Sequence, residues 1–113
     1  MSARDFCTVQ ASTKRNASLG SGRTGAPAAF LASLWVTALW PVSRETVRLL
    51  DLASPREFKE CFHIPAAGAS LPDVVEGDVL VAGGVEYRID HAAEWPDSDV
   101  PTLHLVVQKV KGT

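Results

Sequence analysis

The alternation of hydrophobic and polar positions is clearest in the last third of the chain, where it predicts a β-meander. Residues 78–89 contain two runs of β-branched and aromatic side chains, separated by Gly83 and Gly84. A Gly-Gly pair adopts the positive φ angles of a tight primed turn, so the pattern predicts a β-hairpin. After a polar, proline-bounded loop at 94–101, residues 103–110 have the composition of a further strand. Three consecutive antiparallel strands of this kind indicate a small β domain.

The first third of the chain predicts a strand, a loop and a second strand. Residues 5–12 are rich in β-forming side chains. Residues 13–28 are mostly Gly, Ser, Thr, Ala and basic residues, which is typical of a long flexible loop. The apolar segment 30–40 fits a helix by its apolar pairs four residues apart and a strand by its Trp-Val-Thr run. We favour the strand.

The middle of the chain contains the helix-capping signals. Ser43 is a suitable N-cap for a short helix through residues 47–50, because its hydroxyl can accept a bond from a free amide. Residues 54–57, Ser-Pro-Arg-Glu, resemble a second capping box, whereas the aromatic spacing in 58–64 suits one face of a strand. Both interpretations of this stretch stay open. Residues 65–72 are predicted as a small-residue loop.

Together these elements predict a mainly β fold, a small antiparallel β-barrel with long loops and a short helix. The 113 residues, 46% of them hydrophobic, are enough for one compact core. We therefore expect a single domain over 1–113, with an extended N-terminal strand and the loop at 13–28. The apolar run at 28–42 contains Pro41 and is shorter than the ~20 residues of a spanning helix. It is interpreted as core, and no membrane partner is expected.

Charge is unevenly distributed along the chain. Residues 1–25 contain four basic residues and one acidic residue, a balance of +3, whereas the formal net charge of the whole chain is −2. Residues 26–113 therefore carry −5. A modestly basic arm on an acidic body does not resemble the dense basic face of a duplex-DNA reader.

The two cysteines, Cys7 and Cys61, are expected to be reduced, because the first apolar run begins only near Ala26 and no secretory signal is expected. Cys61 and His63 form the only close pair of metal-ligating residue types. A structural zinc needs four ligands, and no second pair completes the set. We expect no metal. His104 lies between two leucines and is predicted to face solvent or a partner.

Residues 20–25 spell Gly-Ser-Gly-Arg-Thr-Gly, a literal dinucleotide-binding fingerprint. Such glycines bind a pyrophosphate only where a buried strand leads directly into a helix of a parallel βαβ unit. Polar residues precede this motif and Pro27 follows it, so a loop is the better interpretation. No cofactor is expected.

No catalytic constellation is apparent in the sequence. A Gly-x-Ser-x-Gly elbow is absent, and the acidic residues Asp73, Glu76 and Asp78 lie in turn-rich sequence where solvated carboxylates are common. The sequence indicates no enzyme. Trp95 precedes a proline in a polar loop and is the candidate interface aromatic, either at a surface or folded back on the barrel mouth.

The order and spacing of these segments resemble the head-closure or head–tail joining proteins of tailed bacteriophages. The resemblance runs through residues 4–10, a glycine-bearing loop, 31–41, 76–89, and finally the Glu-Trp-Pro at 94–96 with 103–107. It spans nearly the whole chain, although no single motif is diagnostic.

This resemblance implies a β-barrel protomer of a homo-oligomeric ring in the virion neck, assembled in the host cytoplasm. The implied partners are the portal or adaptor protein on one side, the tail terminator or tail tube protein on the other, and phage double-stranded DNA bound non-specifically in the channel. Members of the family provide no catalytic or cofactor residues to carry over. By length and charge, the loop with Lys14, Arg15 and Arg23 is the candidate channel or interface element. The alternative function is an oligonucleotide- or SH3-like barrel that binds single-stranded nucleic acid or a peptide, for which Tyr87 and Arg88 are the available contacts.

Overall fold

Strands account for 54% of the computed structural model, which describes residues 6–20, 23–52, 58–66, 68–95 and 100–110. The elements in chain order are β1 (Val9–Gly20), β2 (Arg23–Val36), β3 (Trp40–Pro41), α1 (Arg44–Leu50), β4 (Phe58–His63), β5 (Val79–Ala82), β6 (Val85–Glu94) and β7 (Leu103–Lys109). In this part of the chain, no helix is long and apolar enough to cross a membrane.

The seven strands form one antiparallel sheet in the order β2-β1-β5-β6-β7-β4-β3, curved into a half-barrel. Residues just after β2 meet the far side of the sheet at β4. The amide of Thr37 donates to the carbonyl of Phe62 at 2.9 Å, and the Thr37 hydroxyl accepts from the Phe62 amide at 3.0 Å. These two bonds partly close the sheet on itself, and the mainly β fold with one short helix is confirmed.

The predicted loop at 13–28 is wrong, because β1 and β2 form a long antiparallel hairpin there. Their register pairs Lys14 with Ala29 and, at the far end, Gly20 with Arg23. Four register shifts along β1 absorb the irregular sequence, as β-bulges do. Composition alone indicated a loop because β1 and β2 each contain few β-branched residues. The pairing of the two strands cannot be read from composition. The predicted start of the first strand at residue 5 is also replaced by Val9.

Only the first part of this hairpin belongs to the barrel. Strand β5 pairs with β1 from Ala11 to Lys14 and no further. From Arg15 onward, the described pairings of β1 are therefore with β2 alone. The β1–β2 hairpin therefore extends beyond the end of β5, the strand that pairs with its first part.

Strand β7 is buried on both faces, with five consecutive buried residues at 103–107. Leu103, Leu105 and Val107 belong to the main hydrophobic core. Because successive side chains point to opposite faces of a strand, His104 lies on the other face. It is only 1% exposed, so the prediction that it faces solvent or a partner is corrected.

Two local predictions are confirmed. Gly83 and Gly84 have φ angles of +59° and +78°, as a primed hairpin turn requires. The hydroxyl of Ser43 accepts a bond from the Thr46 amide at 3.2 Å and caps α1. The alternative helix start at 54–57 lies outside the described residues, and 58–63 forms strand β4.

Candidate functional site

Arg15 on β1 is held by two aspartates that precede β5. Its Nε and one terminal nitrogen each donate to Asp78 at 2.9 Å, and the other terminal nitrogen donates to the Asp73 carboxylate at 3.0 Å. Hydrogen bonds to Asp78 and then to Asp73 raise the pKa of Arg15 above its ordinary value. The side chain of Asp78 is 2% exposed, so the expectation of a solvated acid at this position is wrong. The guanidinium also lies 3.9 Å from the ring centroid of Phe30 on β2, a cation–π distance.

Asp78 also fixes the tight turn at 75–78. Its carboxylate accepts from the Val75 amide at 3.1 Å, and its own amide donates to the Val75 carbonyl at 3.2 Å. Gly77 has a φ of +93°, which favours glycine, and its amide donates to the Ile89 carbonyl at 2.8 Å. The turn is therefore rigid, while the side chains of Val75 and Glu76 are exposed at its tip.

The structure places all three candidate channel cations on the β1–β2 hairpin. Lys14 forms an ion pair with Glu86 on β6 at 3.1 Å, and both side chains are more than one-third exposed. Arg15 is bound by the two aspartates described above. Arg23 begins β2 at the far end of the hairpin, opposite Gly20. Two of the three cations thus already have acidic partners in the same chain.

A polar cluster joins α1 to the outer face of the sheet. Glu60 on β4 accepts bonds from the Thr46 hydroxyl at 2.6 Å, the Ser43 amide at 2.8 Å and the His104 Nε2 at 2.8 Å. Thr46, Glu60 and His104 are all buried. The cluster links the cap of the helix to two neighbouring strands.

These bonds determine the charge state of the pair. Burial alone would raise the pKa of Glu60, but the hydrogen bonds from Thr46, His104 and Ser43 outweigh it and lower the value. Burial lowers the pKa of His104, against the opposing effect of Glu60. Neutral His104 donating to ionised Glu60 is therefore the state at neutral pH. The buried Nδ1 of His104 has no hydrogen-bond partner among the described residues.

Aromatic rings cover this pair from outside. Phe62 stacks on His104 at a centroid distance of 4.9 Å, and Trp95 contacts the same ring edge-on at 4.6 Å. Trp95 is half-buried and folds back on the sheet, one of the two positions considered for it. A histidine–carboxylate pair is a combination used in acid–base catalysis; here it lies beneath the rings of Phe62 and Trp95 and links α1 to the sheet.

The thiols are buried and free. Burial raises the pKa of Cys61 to about 12, and the Cys7 Sγ lies 3.8 Å from the Phe62 carbonyl. Across the described ranges, no group of three or more His, Cys, Asp or Glu side chains is arranged to hold a metal ion.

The glycine-rich fingerprint at 20–25 lies where β1 ends and β2 begins. The two strands are antiparallel neighbours, and the segment does not join a strand to a helix. The geometry needed for a pyrophosphate site is therefore not present around this motif. Residues 21 and 22 themselves lie outside the described residues.

The alternative binding module depends on Tyr87 and Arg88. Arg88 donates to Asp90 at 2.8 Å and to Gln108 at 2.7 Å, so its guanidinium is engaged within the sheet surface. Tyr87 is partly buried and packs against the core. Both residues therefore make contacts within the chain.

No protein-family model matches the chain, and a search of curated proteins finds no match.

Proposed function

We propose that this chain is a structural protein of the tailed-phage neck. In this proposal, copies of the chain form a ring that joins the DNA-filled head to the tail and helps to retain the genome. The portal or adaptor protein lies on one side of the ring, and the tail terminator or tail tube protein lies on the other. The protein acts in the virion and assembles in the host cytoplasm, without a catalytic role, a cofactor or a membrane partner.

The observation that best supports this proposal is the β1–β2 hairpin. Its base is part of the barrel through β5, and beyond Arg15 the backbone pairings of β1 that the structure describes are all with β2. An element of this kind gains contacts when it lies against a neighbouring subunit, a second ring or the contents of a channel. Arg23 begins β2 at the far end of the hairpin, so of the three cations it is the one placed farthest from the barrel and the candidate for contact with DNA phosphates.

Exposed apolar side chains are the candidate contacts of such a ring, because a subunit with several neighbours needs more than one contact surface. Among the described residues, seven large apolar side chains are at least 44% exposed: Phe6, Phe30, Trp35, Trp40, Leu49, Val75 and Val100. They belong to several parts of the fold, as expected for a subunit that contacts two neighbours in its ring and one ring on each side.

The test is the mass of the native assembly combined with a cryo-EM map of particles that contain the protein. We expect a closed ring in solution or on filled heads, and density for this barrel between head and tail. A chain that stays monomeric under both conditions and binds single-stranded nucleic acid would contradict the proposal and favour the binding module.

A further inference from the structure

An open groove of about 350 Å³ lies beside α1. Val42 and Val47 line it together with Arg44 and Arg48, two exposed residues of the helix. Its volume is at the small end of the range of ligand pockets, suited to one or two side chains. The groove therefore fits an apolar side chain that lies next to a carboxylate.

The two arginines are available for such a partner. Within the described part of the chain, neither Arg44 nor Arg48 takes part in a salt bridge, whereas Arg15, Arg88 and Lys14 all do. Two cations four residues apart lie on neighbouring positions of a helix surface. An unpaired carboxylate docked between them would have two possible donors.

The matching surface is the tight turn at 75–78 on the same chain. Val75 is 47% exposed and Glu76 next to it is exposed, so the tip presents an apolar group beside a carboxylate. Asp78 and Gly77 already fix the backbone of this turn. A pre-organised turn of this kind loses little conformational entropy on binding.

The turn and the groove lie on different parts of the sheet. The turn leads into β5, which pairs with β1 and β6. The groove adjoins α1, which follows β3 at the other end of the strand order. Two different complementary patches are what a cyclic ring requires, because each subunit offers one patch to the copy before it and the other to the copy after it.

We infer that Val75 and Glu76 of one copy dock in the groove formed by Val42, Val47, Arg44 and Arg48 of the next copy. This inference rests on the proposed ring. It assigns the subunit interface to two named surfaces. Val75 contacts the two valines, and the Glu76 carboxylate accepts bonds from the arginines.

A charge swap tests the contact directly. Glu76→Arg and Arg48→Glu are made singly and together, and assembly is followed by native mass spectrometry and sedimentation over a range of protein concentrations. Each single change should raise the concentration needed for half-assembly at least ~10-fold, because it places like charges in contact. The double variant should recover most of this loss, because it restores an opposite-charge pair.

The matched control is Glu45→Arg, which reverses an exposed acid in the first turn of the same helix outside the groove. It should leave the half-assembly concentration within about 3-fold of the wild-type value. Thermal unfolding of every variant verifies that the barrel is folded.

The outcomes separate the contact from the ring. If the wild type forms rings and both single variants assemble as well as the wild type, the assigned contact is wrong but the proposed ring stands. If the single variants lose head–tail joining while their rings are unchanged, the groove binds another neck protein and the inference is overturned. If the wild type forms no ring in solution or on heads, both the contact and the proposed function fail.

Discussion

Arg15 and Asp78 are 63 residues apart in the chain, yet two bonds of 2.9 Å join the guanidinium to the carboxylate. Arg15 lies where the β1–β2 hairpin leaves the barrel, and Asp78 holds the turn that presents Val75 and Glu76. This pair therefore connects the extended hairpin with the turn that we assign to the ring contact. A change at either residue should affect both surfaces.

Loss of the Asp78 carboxylate should destabilise the fold more than loss of a surface ion pair. Asp78→Ala removes a buried acceptor of bonds from Arg15 and from the Val75 amide, so the free energy of unfolding should fall by about 2–3 kcal/mol. The matched control is Glu86→Ala, which breaks the more exposed pair with Lys14 and should cost less than ~1 kcal/mol. Urea unfolding measures both values. Equal losses would show that the Asp78 network is not structural.

The Gly83-Gly84 turn should tolerate asparagine better than valine. A Cβ at either glycine meets nothing within 4 Å, so the cost of Gly83→Val or Gly84→Val is backbone strain of about 1–3 kcal/mol at positive φ. Asparagine adopts positive φ more readily, so Gly83→Asn is the control and should lose clearly less. Chemical denaturation of the three variants gives the comparison. Wild-type stability in both valine variants would mean that the turn accepts ordinary residues.

The parts of the fold that were predictable from sequence are those that depend on neighbouring residues. The Gly83-Gly84 turn, the strands on either side of it and the Ser43 cap all result from local backbone preferences. The hairpin at 13–28 was not predictable in this way. Its strands are composed largely of small and polar residues. They are held by pairing with each other, and register shifts at four points accommodate the irregular sequence.

The buried polar pairs were missed for a related reason. Glu60 and His104 are 44 residues apart, and the sequence around each gives little indication that the residue is buried. His104 alternates with leucines in β7, which suggested an outward face. That face is outward from the main core, but Glu60, Phe62 and Trp95 cover it. The only local hint was the aromatic spacing in 58–64.

Stability should fall as the pH decreases, in two ranges. Burial lowers the pKa of His104 from its ordinary 6.5, so below about pH 6.5 the unfolded state takes up a proton that the folded state does not, and stability is lost. The pKa of Glu60 also lies below its ordinary 4.5, so a further loss begins below about pH 4.5 as the pH falls through its folded value.

The variant His104→Phe tests the loss of stability that we assign to His104, which begins below about pH 6.5. It keeps an aromatic ring against Phe62 and Trp95 while removing the titrating group, and Glu60 retains its bonds from Thr46 and Ser43. The dependence of unfolding free energy on pH between 7 and 5 should be shallower than in the wild type. An identical slope in the two proteins would show that His104 does not contribute to it.

Both thiols should be unreactive in the native protein. Cys61 is fully buried, and burial raises the pKa of its thiol to about 12, so at pH 8 very little of the reactive thiolate is present. We expect almost no labelling by a thiol reagent in buffer and rapid labelling of both cysteines in urea. The variant Cys7→Ser assigns any native signal to one site. Fast labelling of Cys61 in that variant would contradict its burial.

Shortening the hairpin should separate folding from function. Deleting residues 20–25 removes its far end and leaves Ala11–Lys14, the residues of β1 that pair with β5. The free energy of unfolding should therefore change by less than about 1 kcal/mol. If the hairpin lies in the channel or against an adjoining ring, heads filled with DNA should leak their genomes or fail to join tails.

The control variant Arg23→Gln keeps the length of the hairpin and removes the charge of Arg23, so it separates a steric role from attraction to DNA phosphates. Genome retention is measured as nuclease-protected DNA per particle, and infectivity by plaque titre. A folded deletion variant whose particles keep their DNA and plate like the wild type would exclude the hairpin from genome retention, even if the ring forms.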